Sequence, residues 1–450
     1  MTRWWAPAAA LLGLAPCLAA PGHAVSPPPI DDTWLPAPAA PAPPQPTVQR
    51  EVCTVPAFDP QRGGQPSQLD ALGLPQLWRL TRGAGQRVAV IDTGVARHRR
   101  LPHLVAGGDY VFTGDGTQDC DGHGTVVAGI IGAAPDSGDG FAGVAPEATV
   151  LSIRQSSTKF GPRADPGRPG VGDVDTLARA VRTAADLGAT VINISSVACV
   201  SADAGLDDRA LGAALAYAVD GKDAVVVAAA GNTGGPGQCP GQQTDPGSDN
   251  ASVAVSPAWY DDYVLTVGSV NGDGAPSPFT LAGPWVDVAA PGEAVLSLSP
   301  VGDAMVNALD SHGDQGPITG TSYAAPVVSG LAALIRARFP ALTARQVMAR
   351  IEATAHQPVG GWNPVVGNGV VDAQAAVSAE APSAAPPAQP TPLPVPVTPA
   401  LAPAAVDRRP HGTAIRGAAV CLTVLVVALA ARRLRRPSAG RLARRGVAGD

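Results

Sequence analysis

Five short apolar runs rich in β-branched residues constrain the fold of this chain more than any other feature. In chain order they are RVAVIDTGV, TVLSIRQ, TVINIS, AVVVAAAGN and VLTVGSV. Runs that are apolar at successive positions, without alternation, are typical of parallel strands buried on both faces. Helical patterns such as VDTLARAVRTAADLGA lie between them. This alternation predicts a layered α/β domain, in which helices pack on a mainly parallel sheet.

The distribution of proline sets the limits of this domain. Prolines crowd into residues 26–46 and 382–410, so we expect the folded domain between them, over residues 68–378. Residues 25–67 then form a Pro-rich N-terminal extension. Residues 379–412 form an Ala/Pro-rich linker, which is either a stiff polyproline segment or simple disorder.

Two further features concern the surface of the domain. Residues 156–173 interrupt the strand and helix pattern with Gly, Pro and charged residues, and we expect an exposed, mobile loop there. The net charge of the chain is −6, which argues against nucleic acid as a partner.

Both ends of the chain are hydrophobic segments of the kind that direct a protein to a membrane. Residues 1–24 combine one basic residue, an apolar run and small residues near the end, which predicts a secretory signal peptide. A lipoprotein anchor at Cys17 is the alternative, although Pro16 fits it poorly. Residues 413–431 predict a transmembrane helix, and the Arg-rich tail, 432–450, is expected in the cytoplasm. The domain is therefore expected on the extracellular or periplasmic side of the cell membrane.

An exported domain can keep disulfide bonds, and four cysteines lie outside the hydrophobic ends: Cys53, Cys120, Cys199 and Cys239. Three pairings are possible. We favour Cys53–Cys120, which would pin the N-terminal extension to the domain, and Cys199–Cys239, which would join two loops that each follow a predicted strand. Metal binding is the weaker alternative, because the sequence contains no C-x-x-C spacing.

One serine lies at the start of a strongly apolar helix, in the segment GTSYAAPVVSG. Ser322 could simply cap this helix, as serines often do. It could also be a nucleophile, because a helix N-terminus favours developing negative charge. A serine hydroxyl reacts only when a base and an orienting acid are supplied.

The candidates for the base and the acid are His123 and Asp92. His123 lies between two glycines in DCDGHGTVVAGIIGA, where small neighbours let a ligand approach. Asp92 ends the strand RVAVID, and sites in α/β sheets lie at the carboxyl ends of strands. Taken alone, His123 could be a structural residue at a helix start and Asp92 a cap on the next turn. The segments D-T-G at Asp92 and D-S-G at Asp136 resemble aspartic proteases, but the stretch between them cannot build a β-rich lobe.

A fourth polar residue, Asn232, follows the predicted strand AVVVAAA and could donate its side-chain amide to an oxyanion. The backbone N–H of Ser322 could be a second donor. The segments D-T-G, H-G-T, A-A-G-N and G-T-S-x-A-x-P around Asp92, His123, Asn232 and Ser322 occur in this order. They resemble the motifs of the subtilisin-like serine proteases, in which the triad also follows the order Asp, His, Ser.

A closer resemblance covers essentially the whole chain. The segment D-C-D-G-H-G-T, the Pro-rich arm, the four cysteines and the C-terminal anchor resemble the mycosins, which are membrane-tethered subtilases associated with type VII secretion in actinobacteria. This resemblance implies a subtilisin-like three-layer domain. Many secreted subtilases have calcium-binding loops, but this sequence contains no dense Asp/Asn cluster of that kind, so we expect no required metal and no cofactor. Foldable inhibitory propeptides in this superfamily are longer than the N-terminal arm, so we expect the arm to stay attached, held by Cys53–Cys120.

The resemblance implies a role for each residue of the site. Ser322 would attack the peptide carbonyl, His123 would take and return the proton, Asp92 would orient His123, and Asn232 would stabilise the oxyanion. A substrate strand would lie against a set of mostly small residues: Ser195, Ser196, Val197, Ala229, Ala230 and Gly231.

Two functions are compatible with these features. The first is an endopeptidase that cleaves a limited set of exported proteins at a type VII secretion membrane complex. The second is a scaffold subunit of that complex, with proteolysis secondary. A broadly degrading secreted protease is disfavoured by the predicted membrane anchor.

Overall fold

The computed structural model describes residues 25–55, 57–60, 67–235, 238–242, 251–311 and 314–378. They belong to the first of two compact units, 1–381 and 382–450, into which the chain divides. The predicted signal peptide (1–24), linker (379–412), transmembrane helix (413–431) and cytoplasmic tail (432–450) lie outside the described residues. No helix within the described ranges is both long enough and apolar enough to cross a bilayer.

The described part of the chain contains fifteen strands and seven α-helices. The strands are β1 (Thr47–Gln49), β2 (Arg87–Asp92), β3 (Leu104–Asp109), β4 (Thr149–Arg154), β5 (Phe160–Pro162), β6 (Val191–Ile194), β7 (Ala198–Ser201), β8 (Val225–Ala229), β9 (Val253–Ser256), β10 (Leu265–Val270), β11 (Val288–Pro291), β12 (Ser297–Leu298), β13 (Met305–Val306), β14 (Ala308–Ser311) and β15 (Asp314–Pro317). The helices are α1 (Leu74–Leu77), α2 (His123–Gly132), α3 (Val174–Asp186), α4 (Arg209–Ala216), α5 (Thr321–Arg338), α6 (Ala344–Thr354) and α7 (Ala373–Ser378).

Seven of the described strands form the central sheet, in the order β11-β10-β8-β6-β2-β4-β3. Every neighbouring pair in it is parallel. The five apolar runs of the sequence supply the five interior strands, whose residues are buried almost throughout. Burial on both faces explains why these runs do not alternate. The predicted mainly parallel sheet is confirmed.

Two pairs of helices pack on this sheet. Helix α2 packs with α5 and helix α3 with α4, and α2, α3 and α5 all contact the strands. In the described part of the chain the two pairs make no substantial contact with each other, so the sheet lies between two helical layers. Helix α5 is buried along its first four turns, from Thr321 to Ile335, except at Ser322. A helix that is apolar on all sides belongs in the core.

The start of helix α6 follows directly from its sequence. Thr343 accepts a hydrogen bond from the backbone N–H of Gln346, and the Gln346 side chain accepts one from the backbone N–H of Thr343. The spacing T-x-x-Q of the two residues is the sequence signature of this reciprocal capping box. The flanking Leu342 and Val347 are both buried, as expected for the hydrophobic contact that accompanies such a cap.

The N-terminal extension is attached to the domain by a strand pair and a disulfide. Strand β1 of the extension pairs antiparallel with β5, and Cys53 is bonded to Cys120 with a Cα–Cα distance of 4.4 Å. The expectation of an exposed loop over 156–173 is right for residues 158, 163–169, 172 and 173, which are exposed, but wrong for residues 157 and 160–162, which are buried. Phe160 is buried against Cys120 and Val111, because its ring completes a small apolar cluster beneath the extension.

Candidate active site

A cleft of about 650 Å³ opens at the carboxyl end of the parallel sheet. Its walls contain Asp92, Thr93, His123, Ser156, Thr158, Ser195, Ser196, Val197, Cys199, Ala229, Gly231, Asn232, Gln238, Cys239, Thr321 and Ser322. Strands β2, β6 and β8 end here, and helices α2 and α5 begin here. Among the residues predicted for the catalytic and substrate-binding site, Ala230 alone does not line the cleft. It is fully buried, and its backbone N–H bonds to the Val267 carbonyl at 3.0 Å.

Asp92 and His123 form a hydrogen-bonded pair in this cleft. Asp92 is the last residue of β2 and His123 the first residue of α2, and Asp92 Oδ1 lies 2.7 Å from His123 Nδ1. Gly124 makes this approach possible, because a Cβ there would lie 2.1 Å from the Gly94 carbonyl oxygen and 3.1 Å from Asp92 Oδ1. Since a carboxylate can only accept, Nδ1 carries the proton and Nε2 is left as the basic nitrogen.

The environment of His123 favours its charged form. Burial acts to lower the pKa of His123, but the negative charge of Asp92 and the hydrogen bond to it outweigh burial. The pKa of the imidazole therefore lies above its usual value. A base that holds a proton near neutral pH and can return it is suited to general acid–base catalysis.

Ser322 lies in the first turn of α5, where backbone N–H groups have no partner within the helix. Its hydroxyl donates a hydrogen bond to the Ser195 carbonyl oxygen at 2.8 Å. Between these described residues no hydrogen bond joins Ser322 to His123, so the hydroxyl must turn towards the imidazole before its proton can be taken.

The amide of Asn232 is held in one orientation by the residue before Ser322. Thr321 donates two hydrogen bonds of 3.0 Å to Asn232 Oδ1, one from its backbone N–H and one from its hydroxyl. The hydroxyl oxygen of Thr321 also accepts from the Gly231 N–H at 3.2 Å. Because Oδ1 receives both bonds, the amide nitrogen Nδ2 is the group left to donate to a ligand.

Known proteins are similar to this chain in sequence and in fold. The model of the peptidase S8 subtilase family matches residues 83–369. Mycosin-4 of Mycobacterium tuberculosis H37Rv is 66% identical over 434 residues, which are 95% of this chain and 94% of that protein. Mycosin-3 of the same strain is 44% identical, over 96% of this chain and 95% of that protein. The chain belongs to the mycosins of the subtilase family. This mycosin is a subtilisin-like serine protease.

Solved structures have the same fold. The MycP3 protease from the type VII (ESX-3) secretion system is 48% identical, covers 79% of this mycosin and 100% of its own chain, and has a TM-score of 0.74. A chain in the structure of an intact ESX-5 inner membrane complex is 40% identical, with the same TM-score of 0.74, over 91% of this mycosin and 100% of that chain.

One wall of the cleft in this mycosin contains a disulfide. Cys199 is bonded to Cys239 with a Cα–Cα distance of 5.3 Å, so both pairings expected from the sequence are present. Gly231 has a φ of +100°, and a Cβ there would lie 3.1 Å from the Cys239 sulfur. Glycine at this position therefore allows both the left-handed backbone and the close approach of the disulfide.

No role was predicted from the sequence for Asp119, yet it supports the Asp92–His123 pair. Its Oδ1 accepts from the Thr93 hydroxyl at 2.8 Å and the Gly122 N–H at 2.7 Å. Its Oδ2 accepts from the N–H and the hydroxyl of Thr125 at 2.8 and 2.6 Å. It thereby joins the turn after Asp92 to the first turn of α2. Burial raises the pKa of Asp119 to about 6, although its hydrogen bonds act to lower it. An aspartate four residues before the histidine was the signal available in the sequence.

Within the described ranges, no three His, Cys, Asp or Glu side chains lie close enough together to hold a metal ion. The polar side chains that line the cleft carry hydroxyls, amides, a carboxylate and an imidazole.

Proposed function

We propose that this mycosin hydrolyses peptide bonds with Ser322 as nucleophile, His123 as general base and acid, and Asp92 as the orienting carboxylate. The observation that carries the proposal is the 2.7 Å contact between Asp92 and His123 in a cleft that also contains Ser322. A pair of this kind converts a serine hydroxyl into an effective nucleophile.

The reaction follows from the positions of these groups. The Ser322 oxygen bonds to the carbonyl carbon of the substrate while its proton passes to His123 Nε2. The tetrahedral intermediate then collapses, the C–N bond breaks, and the same proton passes to the leaving amine. Water hydrolyses the resulting ester by the same two steps, which returns Ser322 to its starting state. Asp92 keeps the imidazole oriented and stabilises its positive charge throughout.

The negative charge of the intermediate needs donors that are already in place. Asn232 Nδ2 is one candidate, because Thr321 fixes the amide by its other end. The backbone N–H of Ser322 is the second, since it lies at a helix N-terminus where anions are stabilised. Both act without reorganisation at the moment of reaction.

We further propose that the chain is exported by residues 1–24, anchored by residues 413–431 and located at a type VII secretion complex in the cell membrane. The hydrophobic ends of the sequence support the anchor. The likeness of this chain to one in an ESX-5 inner membrane complex, over 91% of its length, supports the partner. The substrates are then exported proteins that pass the complex. The N-terminal extension stays attached through Cys53–Cys120.

The enzymatic role is tested with a fluorophosphonate probe on the purified full-length chain. Wild type should be labelled at Ser322, and Ser322→Ala should not be labelled at all. Ser137→Ala is the matched control, because it removes one hydroxyl from an exposed loop and should label like wild type. Absence of labelling in folded wild type would remove the basis of the proposal.

The alternative is a scaffold role in the secretion complex, which the whole-chain likeness to the ESX-5 chain favours. The two roles separate in cells that carry Ser322→Ala. If exported proteins still leave the cell but keep their uncleaved termini, proteolysis and scaffolding are distinct roles. If export stops in cells whose Ser322→Ala protein is present at wild-type level, proteolysis itself is needed for export.

A further inference from the structure

The backbone carbonyl of Ser322 lacks the usual hydrogen-bond donor within its own helix. In an α-helix the carbonyl of a residue accepts from the N–H four residues later. Four residues after Ser322 is Pro326, which lies inside α5 and has no N–H. The carbonyl of the candidate nucleophile therefore needs a donor from outside the helix, because an unpaired buried carbonyl is costly.

Ser195 supplies that donor. Its hydroxyl lies 2.8 Å from the Ser322 carbonyl oxygen. Ser195 follows β6 and is buried, with 3% of its surface exposed. In return, the Ser322 hydroxyl donates to the Ser195 carbonyl at 2.8 Å. When the Ser322 side chain turns towards His123 this second bond is lost, and the bond from the Ser195 hydroxyl still holds the backbone of Ser322.

Asn193 determines which way the Ser195 hydroxyl points. The amide nitrogen of Asn193 donates to the Ser195 oxygen at 2.9 Å, so the single proton of that hydroxyl is left for the Ser322 carbonyl. The amide oxygen of Asn193 accepts from the Ser329 hydroxyl at 2.8 Å. Asn193 and Ser329 are both fully buried. The chain Ser329–Asn193–Ser195–Ser322 thus begins and ends on helix α5 and passes through the end of strand β6.

We propose that Asn193 is a positioning residue for the nucleophile. Through Ser195 it holds the Ser322 carbonyl that Pro326 leaves without a helical partner. This inference rests on the proposed function of Ser322. The hydrogen bonds through Asn193 fix the backbone of Ser322 relative to the segment after β6 that lines the cleft. The distance between that backbone and that segment then stays constant while the Ser322 side chain rotates.

A purely structural account would also place a bonded amide here, because a buried Asn must satisfy its polar atoms. Pro326→Ala separates the two accounts. Alanine at 326 restores an N–H four residues after Ser322, so the helix itself can hold the carbonyl. If Asn193 acts by holding that carbonyl, Pro326→Ala should compensate for its loss. If Asn193 only stabilises the core, a new N–H on α5 changes nothing.

The test measures the maximal rate of Ser322 phosphonylation by a fluorophosphonate, and the probe concentration giving half that rate, on full-length chains. Asn193→Ala should lower the maximal rate by roughly 10- to 100-fold, since small misplacements of reacting groups have effects of this size. The half-saturating concentration and the pH dependence should stay as in wild type. In the Pro326→Ala background, Asn193→Ala should lower the logarithm of the maximal rate by less than about a third of the decrease that it causes in the wild-type background. Such non-additivity reports direct coupling between the two positions.

Tyr260→Phe is the control for lost stability. The Tyr260 hydroxyl bonds to buried Asp208 at 2.8 Å, away from the cleft, and its loss should lower the melting temperature with no change in phosphonylation. Ser329→Ala, which removes the anchor of the Asn193 amide oxygen, replaces Asn193→Ala in the same comparison if the latter is not recovered folded. Wild-type phosphonylation rates in folded Asn193→Ala, or strict additivity of its effect with that of Pro326→Ala, would overturn this inference but not the proposed function. An unlabelled wild type would instead overturn the proposed function on which it rests.

Discussion

The orientation of the Asn232 amide can be tested with a graded series of variants at positions 232 and 321. The two 3.0 Å hydrogen bonds from Thr321 to Asn232 Oδ1 leave Nδ2 to face the cleft. Asn232→Ala removes this donor. The expected loss is about 2.7–4 kcal/mol of transition-state stabilisation, or roughly 10²–10³ in kcat, which is the magnitude measured for an asparagine oxyanion donor of subtilisin.

The other members of the series follow from the same contacts. Asn232→Asp keeps the shape but presents a carboxylate oxygen where the donor was, so its loss should be at least as large. Thr321→Val keeps the backbone bond and removes the hydroxyl, which accepts from Gly231 and donates to Asn232. A buried hydrogen bond contributes about 0.5–1.5 kcal/mol, so a loss of up to roughly tenfold is expected. Thr321→Ser keeps both bonds and is the matched control.

The assay is phosphonylation by a fluorophosphonate, with the maximal rate and the half-saturating probe concentration determined separately. Because an oxyanion donor acts on the transition state, each loss should appear in the maximal rate. The oxyanion role of Asn232 is refuted if Asn232→Ala retains the wild-type rate or if its loss appears only in the half-saturating concentration. Equal losses in Thr321→Ser and Thr321→Val would refute the role of the hydroxyl.

Three further outcomes are expected. Burial lowers the pKa of His123 but Asp92 raises it more. The phosphonylation rate should therefore fall as the pH falls through a pKa above the usual value of a histidine. Asp92→Asn should move this decrease in rate to lower pH and should also slow the reaction. Asp119 has a pKa of about 6 in the folded chain against an ordinary 3.8, so its protonated form is favoured by folding. Its contribution to the free energy of unfolding should therefore decline by about 3 kcal/mol as the pH rises from about 4 to about 7, and urea titrations of Asp119→Asn should show a weaker pH dependence. The double variant Cys53→Ser/Cys120→Ser removes a disulfide between residues 67 positions apart in sequence. It should lower the free energy of unfolding by up to about 4 kcal/mol. Unchanged stability without reductant would mean that the strand pair alone holds the extension.

The interior of the sheet was predictable because its strands are buried on both faces and read as continuous apolar runs. Edge strand β3 was not predicted, since its sequence LVAGGD contains two glycines and two of its six residues are exposed. Nor was the pairing of β1 with β5, which joins positions more than 110 residues apart over three residues each. Apolar patterns indicate which segments are buried; they do not indicate which distant segment a short half-exposed strand will meet.

The two halves of the cleft also differ in how far their supporting residues could be predicted from the sequence. Asp92 and His123 are supported by Asp119, which lies within the same stretch of chain, and the spacing of that stretch carries the signal. Ser322 and Asn232 are supported by hydrogen bonds between residues 89 to 136 positions apart. Nothing near Asn232 in sequence therefore marks Thr321 as its partner, and nothing near Ser322 marks Ser195 or Asn193.

This difference has a physical consequence for how the site would fail. The hydrogen bonds around Asp119 join the turn after β2, the loop before α2 and the first turn of α2, so they lie within residues 93–125. Those around Ser322 cross between α5 and the ends of β6 and β8, and they persist only while that helix stays packed on the sheet. Mild loosening of α5, by denaturant or by a small cavity at its buried face, should therefore slow phosphonylation of Ser322 before it changes the pKa of His123. An NMR titration of the imidazole alongside the labelling rate would show whether the two properties separate in that order.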